Sequence, residues 1–188
     1  MKKIFVMAAM VLGVSAAYAG DSEPLKAITK SKTYAEAEAL LKSTLDQLAS
    51  PHEKAKAYNK LYELSMKDFE TVSAVIAENQ RAAVMKTEQQ AYDTAAYYNS
   101  AYNAVKAAVE CDKYDGQPDA KGKTKIAYRK DETRLQKLTQ ARLELVNGGQ
   151  WIDGKNDEAG LLKYWGLFLE SRNTPLFESL PKEPFLGQ

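Results

Sequence analysis

The chain has 188 residues, with 26 basic and 25 acidic side chains, one histidine and one cysteine. So even a balance excludes general nucleic-acid binding, which needs a clustered basic excess. A single cysteine excludes an intrachain disulfide, and one cysteine with one histidine leaves too few ligands for the usual zinc sites.

The N-terminus reads as a cleaved secretory signal. Lys2 and Lys3 form a positive start, Ile4 to Val14 an apolar core, and Ala17-Tyr18-Ala19 a small-residue cleavage site. The core is too short to span a hydrocarbon layer of about 30 Å. Residues 1–19 are therefore expected to be removed, and the mature chain to start at Gly20. Losing Lys2 and Lys3 turns the formal charge from +1 to −1. A Sec-type route places the product in a periplasm or outside the cell. No cysteine follows the core, which argues against a lipid anchor. No later apolar run is long enough to cross a membrane, so the chain is not expected to be an integral membrane protein.

From Gly20 onward Ala, Leu, Lys, Glu and Gln dominate, all strong helix formers, and strand-type alternation is not evident. The expected fold class is all-α, with five main helices preceded by a short turn over Pro24 to Lys30. The first helix covers Thr33 to Ala49, with Tyr34, Ala37, Leu41, Leu45 and Leu48 on one face. Ser50-Pro51 ends it and opens the next, with Ser as cap and Pro as first helical residue. That second helix carries Ala55, Tyr58, Leu61, Tyr62 and Leu64, and continues, with a break near Asp68, through Val72, Ile76 and Val84. Asp93 caps a third, which holds Tyr97, Tyr98, Ala101, Tyr102, Val105, Ala108 and Val109 and stops near Tyr114. Asp115 to Lys123 is a loop by composition.

The fourth helix is expected from Ile126 to Asn147, with Asn147-Gly148-Gly149 as its stop. The fifth runs from Asp157 to Ser171, and the Pro-rich remainder, 175–188, is expected to be irregular. Between the last two helices lies Gly148 to Asp157, with two acids and three glycines in a short space. As a calcium loop it fails. Counted from Asp153, the third residue is Lys155, the sixth Glu158 and the twelfth Tyr164, where oxygen ligands, a Gly and a Glu are required. It reads instead as the turn of a helix hairpin. No metal or other cofactor is expected.

Two segments resemble one known element. Lys32-Thr33-Tyr34-Ala35-Glu36-Ala37-Glu38-Ala39-Leu40-Leu41-Lys42 is similar to the second helix of a tetratricopeptide (TPR) repeat, and Gly154 to Trp165 resembles it again. Pro51 and Pro175 follow these helices near the place where such repeats carry a proline, and Ala55, Tyr58, Asn59 and Tyr62 resemble a following first helix. Both ends of the mature chain share the likeness. The middle departs from the 34-residue period. With the signal, the whole resembles the exported TPR-like proteins of Gram-negative bacteria. The resemblance implies TPR-like helical hairpins stacked as a short right-handed α-solenoid over 20–174, and a protein-binding scaffold rather than an enzyme.

Candidate contact residues come from two places. Lys121 to Arg142 holds eight basic residues and two acidic ones. Lys130, Arg134 and Lys137 share a helix face by spacing. The face is either plain solvated surface or a contact for an acidic protein patch, or for anionic glycan or lipid head groups. Tyr97 and Tyr102 are either core or the wall of a concave binding surface, and Trp151 beside the turn either locks the hairpin or joins that wall. A small-ligand or glycan pocket lined by Tyr97, Tyr102, Trp151 and Trp165 is the alternative to protein binding. Cys111 is either a small buried residue or a free, reactive thiol. Catalysis finds little support. His52 is the only base for a nucleophile triad, and no phosphate or dinucleotide motif occurs. A hydrolase resting on a carboxylate pair is the third alternative. The helix at 157–171 is apolar over most of its surface. One side of it is expected to be exposed, to be covered by the tail as an extended strap, or to meet further repeats or a second copy.

Overall fold

A computed structural model describes residues 20–118, 121–123 and 127–180. The signal reading of 1–19 and the last eight residues, with Phe185 and Leu186, lie outside the described residues. The protein is all-α. Among the described residues the elements are α1 (Glu23–Lys30), α2 (Tyr34–Thr44), a 3-10 turn at Leu45–Gln47, α3 (Pro51–Met85), α4 (Thr94–Asp112), a second 3-10 turn at Tyr128–Lys130, α5 (Glu132–Asp153), α6 (Glu158–Arg172) and α7 (Pro175–Ser179).

Each α-helix starts on a short polar cap. Ser22, Thr33, Ser50, Asp93, Asp131, Asp157 and Thr174 all accept a hydrogen bond from a backbone N–H in the first turn. Ser50 followed by Pro51 starts α3 as the sequence predicts. The α1–α3 corner closes on Glu53. Its carboxylate accepts from the Ser22 backbone N–H and hydroxyl and from the Ala49 N–H, all at 2.7 Å. One buried acid thereby ties the start of α1 to the start of α3.

Helix α3 is continuous through Asp68. Its 35 residues extend about 50 Å at 1.5 Å per residue, against about 28 Å for the 19 residues of α4. Met85 is followed by Lys86 in the left-handed region (φ 57°). The Thr87 N–H reaches the Ala82 carbonyl at 2.9 Å, which is the closing bond of a Schellman end. The connection then folds back along α3 through a reciprocal amide pair, Asn79 Nδ2 to the Gln90 carbonyl and Gln90 N–H to Asn79 Oδ1, each 2.7 Å. α3 alone has about the length of a whole repeat, so the middle of the chain does not divide into 34-residue hairpins.

Helix α4 packs against α3, α5, α6 and α7. Ala101, Ala104, Val105, Ala107, Ala108, Val109 and Cys111 are all buried. Such small side chains let several helices approach the same one.

Three boundaries differ from those the sequence predicts. The first helix stops at Thr44, not Ala49, and tightens into a 3-10 turn. Helix α5 begins at Glu132 rather than Ile126, because Asp131 supplies the cap and residues 128–130 form a separate turn held by Asp115. Asp115 accepts from the Tyr128 and Arg129 N–H groups at 2.8 and 3.0 Å. At its other end α5 runs through Gly148 and Gly149 to Asp153. The glycines are not a stop. They make room on the helix: a Cβ at Gly148 would sit 3.1 Å from the Tyr98 ring, and one at Gly149 would sit 2.0 Å from Trp165 Nε1. The hairpin turn itself lies at 154–157, where Asn156 takes the left-handed conformation (φ 55°) and Asp157 caps α6.

The tail reading is also corrected. Pro175 does not keep the chain irregular. It occupies the first turn of α7, where its missing N–H costs nothing. Leu176 and Leu180 are buried. Two charged groups pin this helix. Asp112 at the end of α4 accepts from Arg129 Nε at 2.9 Å and from the Leu176 N–H at 3.0 Å. Arg142 of α5, 1% exposed, donates to Ser171 Oγ at 2.7 Å, and its guanidinium carbon lies 4.0 Å from the Phe168 ring and 4.7 Å from the Phe177 ring.

The contact between Gly149 and Trp165 carries a prediction. Gly149→Ala should destabilise the protein by about 1 to 3 kcal/mol despite alanine's better helix propensity, because the indole must move off α5 and lose its bond to the Val146 carbonyl. Thermal melts should show the loss and tryptophan emission should shift to the red. Gly154→Ala, where a Cβ meets nothing closer than 3.6 Å, should change neither.

Candidate functional site

The largely buried α4 keeps one polar stripe. Asn99, Tyr102, Lys106 and Glu110 recur at three- and four-residue steps and are exposed or half-buried. Helix α6 runs beside this stripe. Between them lies an open cleft of about 300 Å³, lined by Tyr102, Lys106, Glu110, Leu162, Lys163 and Glu170 with Gly166 at its edge. It is the place where the central helix reaches solvent.

Two lysines meet over one ring there. Lys163 Nζ lies 4.4 Å from the centre of Tyr102 and Lys106 Nζ 6.0 Å from it. Lys163 also donates to Asn99 Oδ1 at 2.8 Å. Burial holds the Lys163 pKa below the ordinary lysine value, and the neighbouring Lys106 charge adds to this. Burial and the Glu170 charge raise the Tyr102 phenol. The cleft thus offers two cations and two carboxylates around an apolar floor. None of its lining residues is a Ser, Cys or His.

Beside the cleft, α6 carries a row of apolar side chains that are wholly or partly exposed. Leu162 is 71% exposed, Leu169 58% and Trp165 40%. Their spacing of three and four residues puts them on one side of the helix. The opposite side, Tyr164, Leu167 and Phe168, is buried. Of the outcomes the sequence allows for the outer side of this helix, exposure is the one seen among the described residues.

The predicted contact residues are scattered. Lys130 sits in the 3-10 turn ahead of α5, so it shares no helix face with Arg134 and Lys137. Arg134 is buried, with its guanidinium carbon 4.3 Å from the Tyr62 ring. Lys137 is half-exposed and paired with Glu70 at 2.6 Å. Among the described residues the three do not share a basic helix face, because Lys130 belongs to the turn at 128–130 that precedes the helix. The four-residue aromatic pocket is not assembled either. Tyr97 is buried and stacks on Phe69 at 5.1 Å, and Tyr98 bridges Tyr97, Trp151 and Tyr164 at 5.2, 5.5 and 6.4 Å. These rings form a packed spine between α3, α4, α5 and α6. Tyr102 alone of the four named aromatics reaches the cleft, and the Trp165 ring lies against Gly149. Lys106, Lys163 and Glu170 carry no motif that singles them out in the sequence. The polar stripe of α4 was the available signal for the first of them.

Cys111 is structural. It is 1% exposed, its thiol donates to the Ala55 carbonyl at 3.3 Å, and burial pushes its pKa up to about 12. The reading as a reactive thiol is overturned, since the thiolate is the reactive form. Among the described residues no group of three or more His, Cys, Asp or Glu side chains could hold a metal, and no helix is long and apolar enough to cross a membrane.

Comparison with protein-family models, with curated proteins and with solved structures yields no match. The TPR resemblance therefore rests on its own residues.

The lysine pair can be tested directly. Followed through its side-chain NMR signals, Lys163 should titrate below the ordinary lysine range. Lys106→Met should raise that midpoint only part of the way back, because burial is the larger cause. An unchanged midpoint would place the two ammonium groups out of electrostatic reach.

Proposed function

We propose that this protein is an exported, non-catalytic helical module, TPR-like in its hairpins and stacked as a short right-handed solenoid, that binds another protein along α6. One observation carries the reading: Leu162 and Leu169 stand exposed on one side of α6, with the partly exposed Trp165 between them, beside the charged α4–α6 cleft. Large apolar side chains grouped on a surface and rimmed by charge mark contact sites. Gly166, which has open space around it, lets a partner backbone come close between them. Lys106, Lys163, Glu110 and Glu170 supply charges of both signs to set its register. The occupant that fits is an amphipathic helix with an apolar seam and charged flanks. Export rests on the charged, apolar and small-residue sequence of 1–19.

Leu162→Asp with Leu169→Asp tests the surface. Both sites are exposed, so the folded state should lose little stability. A partner recovered from envelope extract by the wild-type protein should bind the double variant at least about tenfold more weakly. It should bind Lys130→Glu as well as wild type. Equal recovery by the double variant would remove α6 from the interface. If light scattering shows a dimer that the two substitutions dissolve, the partner is a second copy.

Export has its own measurement. Protein recovered from the periplasm or medium should begin at Gly20 by N-terminal sequencing. A soluble cytoplasmic pool beginning at Met1 would refute the reading.

A further inference from the structure

The exposed side of α6 repeats every seven residues. Ala159 and Gly166 recur at that step, as do Leu162 and Leu169, and the four alternate at steps of three and four to form one exposed seam. Both edges of the seam carry charge with the same repeat. Lys163 and Glu170 lie on the α4 side, where they line the cleft. Glu158 and Arg172 share the other edge with Trp165, whose indole reaches the Val146 carbonyl of α5. Glu158, Lys163, Glu170 and Arg172 are all exposed, and among the described residues none of them forms an ion pair within the chain. A seam of small and leucine side chains between two charged edges is the pattern of a helix that packs along a second helix. The edge charges then choose the partner and its direction.

The charges of α6 match those of α6 itself. Along the α4 edge a base precedes an acid, so the edge is its own complement when reversed. Set Gly166 opposite the partner's Leu169 in an antiparallel pair. Lys163 then stands opposite the partner's Glu170 on one edge, and Trp165 opposite the partner's Arg172 on the other. The two-fold axis repeats both contacts, an ion pair and a cation–π pair. A Cβ at Gly166 would meet nothing within 4 Å, so the partner's Leu169 has room there. The open cleft admits the carboxylate of the partner's Glu170 beside Lys163 and Lys106, whose ammonium groups lie 4.4 and 6.0 Å from the centre of the Tyr102 ring. The cleft's other acid on α4, Glu110, is already paired with Lys113 at 2.6 Å. A parallel pair would match Glu158 with the partner's Lys163, but it would set Trp165 against the partner's Glu170 and align the two helix dipoles. The antiparallel pair opposes the dipoles. We propose that α6 pairs with α6 of a second copy, antiparallel about a two-fold axis between Gly166 and Leu169, with Lys163 and Glu170 fixing the register. The proposal rests on the reading of α6 as a protein-binding surface and names its occupant.

Sedimentation equilibrium of the purified protein reads the dimer, and thermal melts read folding. Wild type should pass from monomer to dimer between about 1 and about 100 µM, as suits an interface at the small end of the scale. Lys163→Glu sets carboxylates against each other at both ends of the pair and should weaken the dimer at least about tenfold. Lys163→Glu with Glu170→Lys in the same chain exchanges the two members of each pair. It should return the dimer to within about threefold of wild type. That rescue belongs to the antiparallel pair. A parallel pair would leave the new carboxylate at 163 facing the partner's Glu158, and an unrelated protein has no reciprocal charge to exchange. Should Lys163→Glu melt early, Glu170→Lys reads the same contact from its other member. A protein that stays monomeric to about 500 µM, a double exchange that fails to restore the dimer, or a dimer that keeps its strength in Leu162→Asp with Leu169→Asp would each overturn the proposal. The protein-binding reading survives these results while an envelope partner is still lost on the two aspartate substitutions. It falls when neither a dimer nor a partner depends on Leu162 and Leu169.

Discussion

The constraint on which the fold depends is the burial of α4. Ala101, Ala104 and Ala108 have essentially no exposure, and Val105, Val109 and Cys111 have at most 3%. A helix apolar over most of its circumference is stable only when neighbours cover it on several sides. The chain meets this with α3 as a long antiparallel partner, then α5, α6 and α7. Alanine is what makes it workable. With methyl groups at the contacts, backbones pack closely, and four helices reach one axis without crowding. Its uncovered side includes the polar stripe of Asn99, Tyr102, Lys106 and Glu110, and both features proposed for protein binding border that stripe.

Charged groups fasten the parts that apolar contact alone would leave loose. The short α7 has few residues to bury, yet it is held at two points, by Asp112 through the Leu176 N–H and by Arg142 through the faces of Phe168 and Phe177. Burial raises the Asp112 carboxyl above its ordinary range, against the pull of Arg129 and the Leu176 N–H. The sign follows from linkage: a folded pKa above the unfolded one means that ionisation costs stability as pH rises through that interval. Asp112 therefore gives direction more than net energy. It selects one docking position for α7 and for the turn at Tyr128–Lys130, in keeping with what buried polar groups contribute.

Much of the helix pattern was legible in the sequence, because caps and periodicity act locally. Ser50-Pro51, Asp93 and the α5–α6 hairpin can all be read from neighbours in the chain. The misreadings share one cause: the deciding partner is remote. Gly148-Gly149 has the composition of a helix end, and only Tyr98 and Trp165, far away in sequence, require small residues there. Lys130, Arg134 and Lys137 have helical spacing, but Asp115 pulls residues 128–130 into a turn, and Tyr62 covers Arg134. Pro175 looks like a breaker until Asp112 supplies the acceptor for the following N–H. The aromatic candidates failed for the same reason. Tyr97 and Trp151 have the size for a binding wall, and what packs against them is set by tertiary contact. Lys163 and Lys106 come together only once α6 lies along α4.

That last placement links the two adjacent glycines to the candidate site. Trp165 brings the pyrrole edge of its ring against Gly149 and donates to the Val146 carbonyl at 3.3 Å. The contact fixes the rotation of α6 about its own axis. With Trp165 turned toward α5, Tyr164 and Phe168 turn into the core, Lys163 faces Asn99, and Leu162 and Leu169 are left outside. A larger residue at 149 would displace the indole and turn the helix, moving Lys163 from the Tyr102 ring and narrowing or opening the cleft. The exposed apolar row is thus not a leftover of incomplete packing. It follows from a close approach that the sequence permits at one position, on the side of the molecule where the polar stripe of the central helix meets solvent.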